Sequence, residues 1–124
     1  MTADQFRKMA LALPGAVEKS HMAHPDFRTG PKGRIFATLW YPDKEWAMVR
    51  LTPLQQLQYV EDEPDVFVPV PGAWGAYGAT NIRLKKASRT IVSDALHAAW
   101  NNATSKKPAK AKGRGKIAPR PGTV

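Results

Sequence analysis

PDVFVPVPGAWGAYGATNIRL, residues 64–84, is the stretch on which the fold reading turns. Val66 to Val70 is an apolar β run, Thr80 to Leu84 is a second, and the connection between them is rich in Pro and Gly and carries Trp74 and Tyr77. Pro69, Pro71, Gly72 and Gly75 fix or free the backbone where a strand ladder cannot continue, so the two rings are expected on a shaped loop. No catalytic signature occurs within it.

Upstream of this stretch, Thr52 followed by Pro53 reads as an N-cap with proline at the first helical position. It opens a helix through Leu54, Leu57 and Val60 that ends in the acidic run Glu61, Asp62, Glu63. Glu45 to Leu51 and Arg34 to Tyr41 are strands, and the short link through Pro42, Asp43 and Lys44 makes them an antiparallel hairpin. In the first of the pair, Ile35, Ala37, Leu39 and Tyr41 share one face and Phe36, Thr38 and Trp40 the other, so both faces are expected to be covered at least in part. Nearer the amino terminus the pattern predicts a strand over about Glu18 to Met22, a bend at His24, Pro25 and Asp26, and a brief extended piece from Phe27 to Thr29. Thr2 and Gln5 have the spacing of a capping box, and Phe6, Met9, Ala10 and Leu13 recur at helical spacing until Pro14 and Gly15 stop the run.

Downstream, Ser88 caps a last helix whose stripe is Ile91, Val92, Ala95, Leu96, Ala99 and Trp100. The expected order is helix, three strands, helix, two strands, helix. This is an α/β chain of the α+β type, a two-layer fold with an antiparallel sheet carrying its helices on one face. Ile35, Leu39, Val49, Val68, Ile82, Leu96 and Trp100 are the expected shared core.

The 124 residues suffice for one domain with a genuine core. With no cysteine, the chain has no disulfide, thiolate zinc site, iron–sulfur cluster or cysteine nucleophile. Apolar runs are strand-length and the amino terminus lacks a basic segment before an apolar core, so neither a membrane span nor a secretory signal is expected and the cytoplasm is the expected compartment.

The formal charge of +9 is unevenly placed. Lys106, Lys107, Lys110, Lys112, Arg114, Lys116 and Arg120 follow Ser105 with no acidic residue, whereas the first 105 residues carry 12 basic and 10 acidic side chains. Residues 1–103 read as the domain and 104–124 as a basic tail of Lys, Pro, Ala and Gly, expected to be disordered because it has almost nothing to bury.

Several strings fall in the order of a known family. LPG at Leu13 to Gly15, HPDFR at His24 to Arg28, IFATL at Ile35 to Leu39 and FVPVPGAWG at Phe67 to Gly75 resemble the MmcQ/YjbR family of small bacterial proteins, over roughly residues 3–101. The resemblance implies a two-layer fold similar to secretion chaperones, and a DNA-binding label that itself comes largely from fold comparison. This chain departs from the family in one place, carrying Ala79 after Gly78 where a tryptophan is usual.

Three constellations bear on chemistry. His21, His24 and Asp26 offer three potential metal ligands within six residues, but strand positions three apart point to opposite faces, so the imidazoles converge only if the chain bends between them. A structural role, with His24 and Asp26 satisfying backbone around Pro25, is the simpler reading, and no metal or cofactor is expected. His97, at the edge of the last helix's stripe, reads as packing. For catalysis, Ser20, Ser88, Ser93 and Ser105 occur in no nucleophile elbow and there is no phosphate-binding glycine loop, so the chain is not expected to be an enzyme.

The aromatic loop offers more. Trp74 and Tyr77 can stack on bases while Arg83, Lys85, Lys86 and Arg89 neutralise phosphates, and the competing reading is that the rings pack over glycine backbone and the charges are merely solvated. In the tail, KGRGK with Lys112, Arg114 and Lys116, followed by PRPG, is loosely similar to an AT-hook, and an unfolded polycation binds any nucleic acid by releasing counterions. A purely solubilising tail is the alternative. The expected function is non-catalytic, non-specific nucleic-acid binding, DNA above all; the alternative is a chaperone-like protein-interaction module with a protein partner or a second copy of itself.

Overall fold

The computed structural model describes residues 1–40 and 43–105. Thr2 Oγ1 accepts from Gln5 N at 3.1 Å and Gln5 Oε1 accepts from Thr2 N at 2.9 Å, the reciprocal cap that starts helix α1, Ala3–Leu11. Its buried face, Phe6 and Ala10, meets the sheet through an edge-to-face contact of Phe6 with Phe27 at 6.1 Å.

Four consecutive strands follow, where three were expected: β1 Val17–His21, β2 His24–Arg28, β3 Ile35–Leu39 and β4 Trp46–Arg50. The expected bend at His24 to Asp26 is instead the first half of β2. The turn lies one step earlier, at Met22 and Ala23, which both take positive φ (48° and 67°) and so close a two-residue hairpin. Helix α2, Pro53–Asp62, is opened by a second reciprocal cap between Thr52 and Gln55. Strand β5 is Phe67–Pro69, with the expected Val66 and Val70 just beyond its ends but still bonded across the sheet, Val66 O accepting from Arg83 N at 2.8 Å and Val70 N donating to Ala79 O at 3.0 Å; β5 lies at the edge of the sheet, where a proline is tolerated. The connection after it contains a one-turn helix α3, Ala73–Ala76, before β6, Ala79–Arg83. A 3-10 turn, Leu84–Lys86, leads to helix α4, Arg89–Thr104, with Ser88 as its cap. α4 ends one residue past the expected domain boundary; the rest of the expected disordered tail lies outside the described residues.

Every neighbouring pair in the sheet is antiparallel, in the order β1-β2-β3-β4-β6-β5. α4 lies against β3 and β4, α1 against β3 and α4, and α2 against β5 and β6, with the Tyr59 ring 5.0 Å from that of Phe67. The core under the helices centres on Phe6, Phe27, Phe36 and Phe67 with Leu39, Val49, Ile82 and Leu96. A bulge opposite Phe27 and Arg28 lets Phe36 join Ala37 in this core, so the strict face alternation expected of β3 fails there. Trp40, at φ 65°, leaves the strand to lie 5.9 Å beneath the Arg7 guanidinium of α1. Tyr41 lies outside the described residues. Ile35, Val68 and Trp100 prove half-buried rather than central: Ile35 and Val68 sit on peripheral parts of the sheet, and Trp100 closes the rim by donating Nε1–H to Pro14 O at 3.0 Å.

On the other side of the sheet, register carries one row across all six strands: Lys19, Asp26, Thr38, Met48, Asn81 and Val68. No described helix is long and apolar enough to cross a membrane.

Candidate functional site

The aromatic connection is built on backbone contacts that leave its rings outside. Gly75 presses so closely on β5's continuation that a Cβ there would stand 1.6 Å from Val70 O. Gln56 of α2 reaches across with Nε2 to Gly75 O and Ala79 O, both at 3.0 Å, and Thr80 Oγ1 donates to Gly78 O at 2.8 Å. The segment is thereby fastened without help from its aromatic side chains. Trp74 is 55% and Tyr77 79% exposed, so neither ring is the packed lid over glycine backbone that the sequence also allowed.

The basic residues expected beside these rings are elsewhere. Trp74 and Tyr77 precede β6, whereas Arg83 ends it and Lys85, Lys86 and Arg89 follow, and a five-residue strand is about 17 Å long. Arg83 already has partners: its guanidinium stacks on Trp46 at 4.5 Å and its Nε donates to Asp65 O at 3.3 Å. Lys85 and Lys86 are exposed on the 3-10 turn, and Arg89, the first residue of α4, sits beside Gln5 and Lys8 of α1. Lys112, Arg114 and Lys116 lie outside the described residues.

Two arginines that the sequence did not single out stand near Tyr77 instead. Arg34 precedes β3 and Arg50 ends β4, and antiparallel pairing brings those two chain positions to one end of the sheet. Arg50 pairs with Ala79, the first residue of β6, and Leu51 N donates to Gly78 O at 3.3 Å. Tyr77, Arg34 and Arg50 thus line one cleft of about 640 Å³, with Leu51, Pro53 and Asn102 among its walls and no acidic side chain among them. The signal for this was present in the hairpin reading: a basic residue just before one strand and at the end of its antiparallel partner must fall at the same edge.

The histidines do converge, because the turn between them is a hairpin. His21 and His24 are cross-strand partners with ring centroids 6.4 Å apart. Asp26, fully buried, accepts from Arg28 Nε at 2.8 Å, from Arg28 Nη2 at 3.2 Å and from His21 Nδ1 at 2.7 Å. Burial alone pushes this carboxyl up, but the hydrogen bonds and charges of Arg28 and His21 outweigh it and hold Asp26 below its ordinary value. With both oxygens occupied in this way, Asp26 is the centre of a hydrogen-bonded cluster built around its ion pair with Arg28; among the described residues no group of three or more His, Asp or Glu is arranged to hold a metal. Farther along the same row, Thr38 Oγ1 and Asn81 Oδ1 are buried without a hydrogen-bond partner. At the outer surface of α4, Tyr59 O–H donates to Asp94 Oδ2 at 2.5 Å, and burial together with that carboxylate pushes the phenol well above its usual value.

The YjbR family model matches residues 11–102 of this chain. None of the curated proteins matches. The crystal structure of Deinococcus radiodurans protein DR2400, which carries the DUF419 domain, is similar at a TM-score of 0.71 and 16% identity, covering 88% of this chain and 84% of that one. At that identity the likeness is one of fold.

Proposed function

Because this chain belongs to the YjbR family, a membership that fixes its fold and leaves its ligand open, we propose from its own residues that it is a nucleic-acid-binding protein that performs no catalysis. The observation that carries this reading is the pair of exposed rings, Trp74 and Tyr77, on a segment anchored by glycine and Gln56 rather than by the rings themselves. Binders of unpaired bases use such exposed, firmly held aromatic side chains as stacking platforms. The seven basic residues after Ser105 supply electrostatic capture without sequence preference. A titration of labelled single-stranded DNA and RNA tests it: Trp74→Ala is expected to weaken binding by about 1–3 kcal/mol, the range for one stacked base. Unchanged affinity in that variant, or no binding by the parent at about 0.15 M salt, defeats the reading.

A second reading, a protein-interaction module, is favoured by α2. Leu54 is 67% and Leu57 54% exposed on adjacent turns of that helix. Sedimentation of the parent against Leu54→Glu decides it: a dimer that the substitution dissolves supports this module, and a parent that is monomeric at every concentration removes self-association from it.

A further inference from the structure

We propose that the cleft between Tyr77, Arg34 and Arg50 is the seat of a single-stranded nucleic-acid segment, with a base stacked on Tyr77 and flanking phosphates held by the two guanidiniums. This rests on the nucleic-acid reading above and gives it a location the sequence did not.

Charge is the first support. Arg34 and Arg50 form no ion pair among the described residues, unlike Arg7 and Arg28, and no carboxylate lies in the walls of the cleft they share. Two unneutralised guanidiniums facing one concavity set up a positive potential that an anion relieves, and their planar forks suit phosphate oxygens. Size and lining agree: a cleft of about 640 Å³ lies within the range of small-ligand sites, and Ile35, Leu51 and Pro53 supply an apolar floor of the kind a base or sugar covers.

Rigidity is the third. Asn102 Nδ2 donates to Arg50 O at 3.1 Å and to Gln55 Oε1 at 2.8 Å, which ties the end of α4 to the end of β4 and to the cap of α2. The Leu51-to-Gly78 bond holds Tyr77's connection against the same strand end. Apart from Arg34 and Ile35 at the start of β3, the walls therefore come from β4, α2, α4 and the α3–β6 connection already fastened to one another, so binding costs little ordering. The reciprocal cap of Thr52 and Gln55 already satisfies the start of α2, so the anion is assigned to the arginines.

The test uses the full chain and a fluorescent single-stranded oligothymidylate, read by anisotropy at about 0.15 M salt. Arg34→Ala with Arg50→Ala is compared with Lys85→Ala with Lys86→Ala, which removes equal charge from the far end of β6. The arginine pair is expected to weaken binding at least tenfold and the lysine pair less than twofold. Tyr77→Ala is expected to weaken it about 5- to 150-fold, and Arg50→Lys is expected to keep part of the affinity. Circular dichroism confirms folding, which substitutions at these exposed side chains leave intact. Equal losses from the two charge pairs overturn the cleft while leaving nucleic-acid binding standing. No binding by the parent removes both. Thymidine monophosphate competing as well as the oligonucleotide overturns the strand in favour of a free nucleotide.

Discussion

Asp26 and Arg28, two residues apart on one strand, share a doubly bonded contact at 2.8 and 3.2 Å in which the carboxylate is wholly buried and the guanidinium is 26% exposed. Removing one partner of a buried pair strands the other charge, at a cost of about 3–5 kcal/mol when both are dry. Arg28 keeps some water, so Asp26→Asn is expected to cost about 3 kcal/mol, at the low end of that range, as read by urea unfolding. A loss under about 1 kcal/mol would show that packing around β2, and not the ion pair, holds this part of the sheet.

The same pair gives a pH dependence with a definite sign. Asp26 is held below its ordinary value in the folded protein, so the unfolded chain binds its proton first as pH falls. Its contribution is complete above the unfolded value, about 3.9, and is lost as pH drops through the lower folded value. Unfolding measured from pH 6 to pH 2 is expected to show a smaller acid-side fall for Asp26→Asn than for the parent. Parallel curves would mean that other carboxylates carry the acid sensitivity.

Gly78 takes φ +111°, and a Cβ there would stand 1.9 Å from Leu51 O, which belongs to the backbone just before the α2 cap. Gly78→Ala is expected to cost about 3 kcal/mol or more, combining the strained dihedral with a displaced main chain. Gly72 is the control: its φ of +86° is similarly disfavoured for alanine, but its surroundings are open. Gly72→Ala is expected to cost only the conformational part, about 1–3 kcal/mol. Similar losses at the two positions in thermal unfolding would contradict the close approach.

Deleting residues 106–124 removes seven positive charges and leaves α4 complete to Thr104. If all seven contact phosphates, the slope of log affinity against log salt should fall by up to about 5 for single strands and about 6 for duplex DNA. Trp74→Ala is expected to leave that slope nearly unchanged while lowering affinity. A truncated chain with the parent's slope would show that the tail makes no contacts.

What was legible in the sequence depended on whether a local rule had a local signature. The reciprocal cap of α1 sits at a Thr three before a Gln, Thr52 with Pro53 marks the start of α2, and the link between β3 and β4 has Pro, Asp and Lys; those elements read directly. The hairpin at Met22 and Ala23 does not, since neither residue is one that favours positive φ, and the proline in HPDFR disguised β2 as a bend. Pro and Gly around AWGA likewise hid a single turn of helix. The candidate site was half legible for a related reason: the exposed rings follow from their own neighbours, but their basic companions are set by strand register, which moves Arg34 and Arg50 in and leaves Arg83 on Trp46.

The placement of β6 has a consequence for biosynthesis. It pairs with β4 on one side and β5 on the other, yet follows both in the chain. As the polypeptide leaves the ribosome, the meander from β1 to β4 has its sequence-neighbour partners at once, whereas β4's outer edge and all of β5 wait for Ala79–Arg83. One late arrival closes both. A product truncated before residue 79 would thus present two open strand edges, the feature most prone to template aggregation, and the stretch from Ala79 onward decides whether the rest stays dispersed.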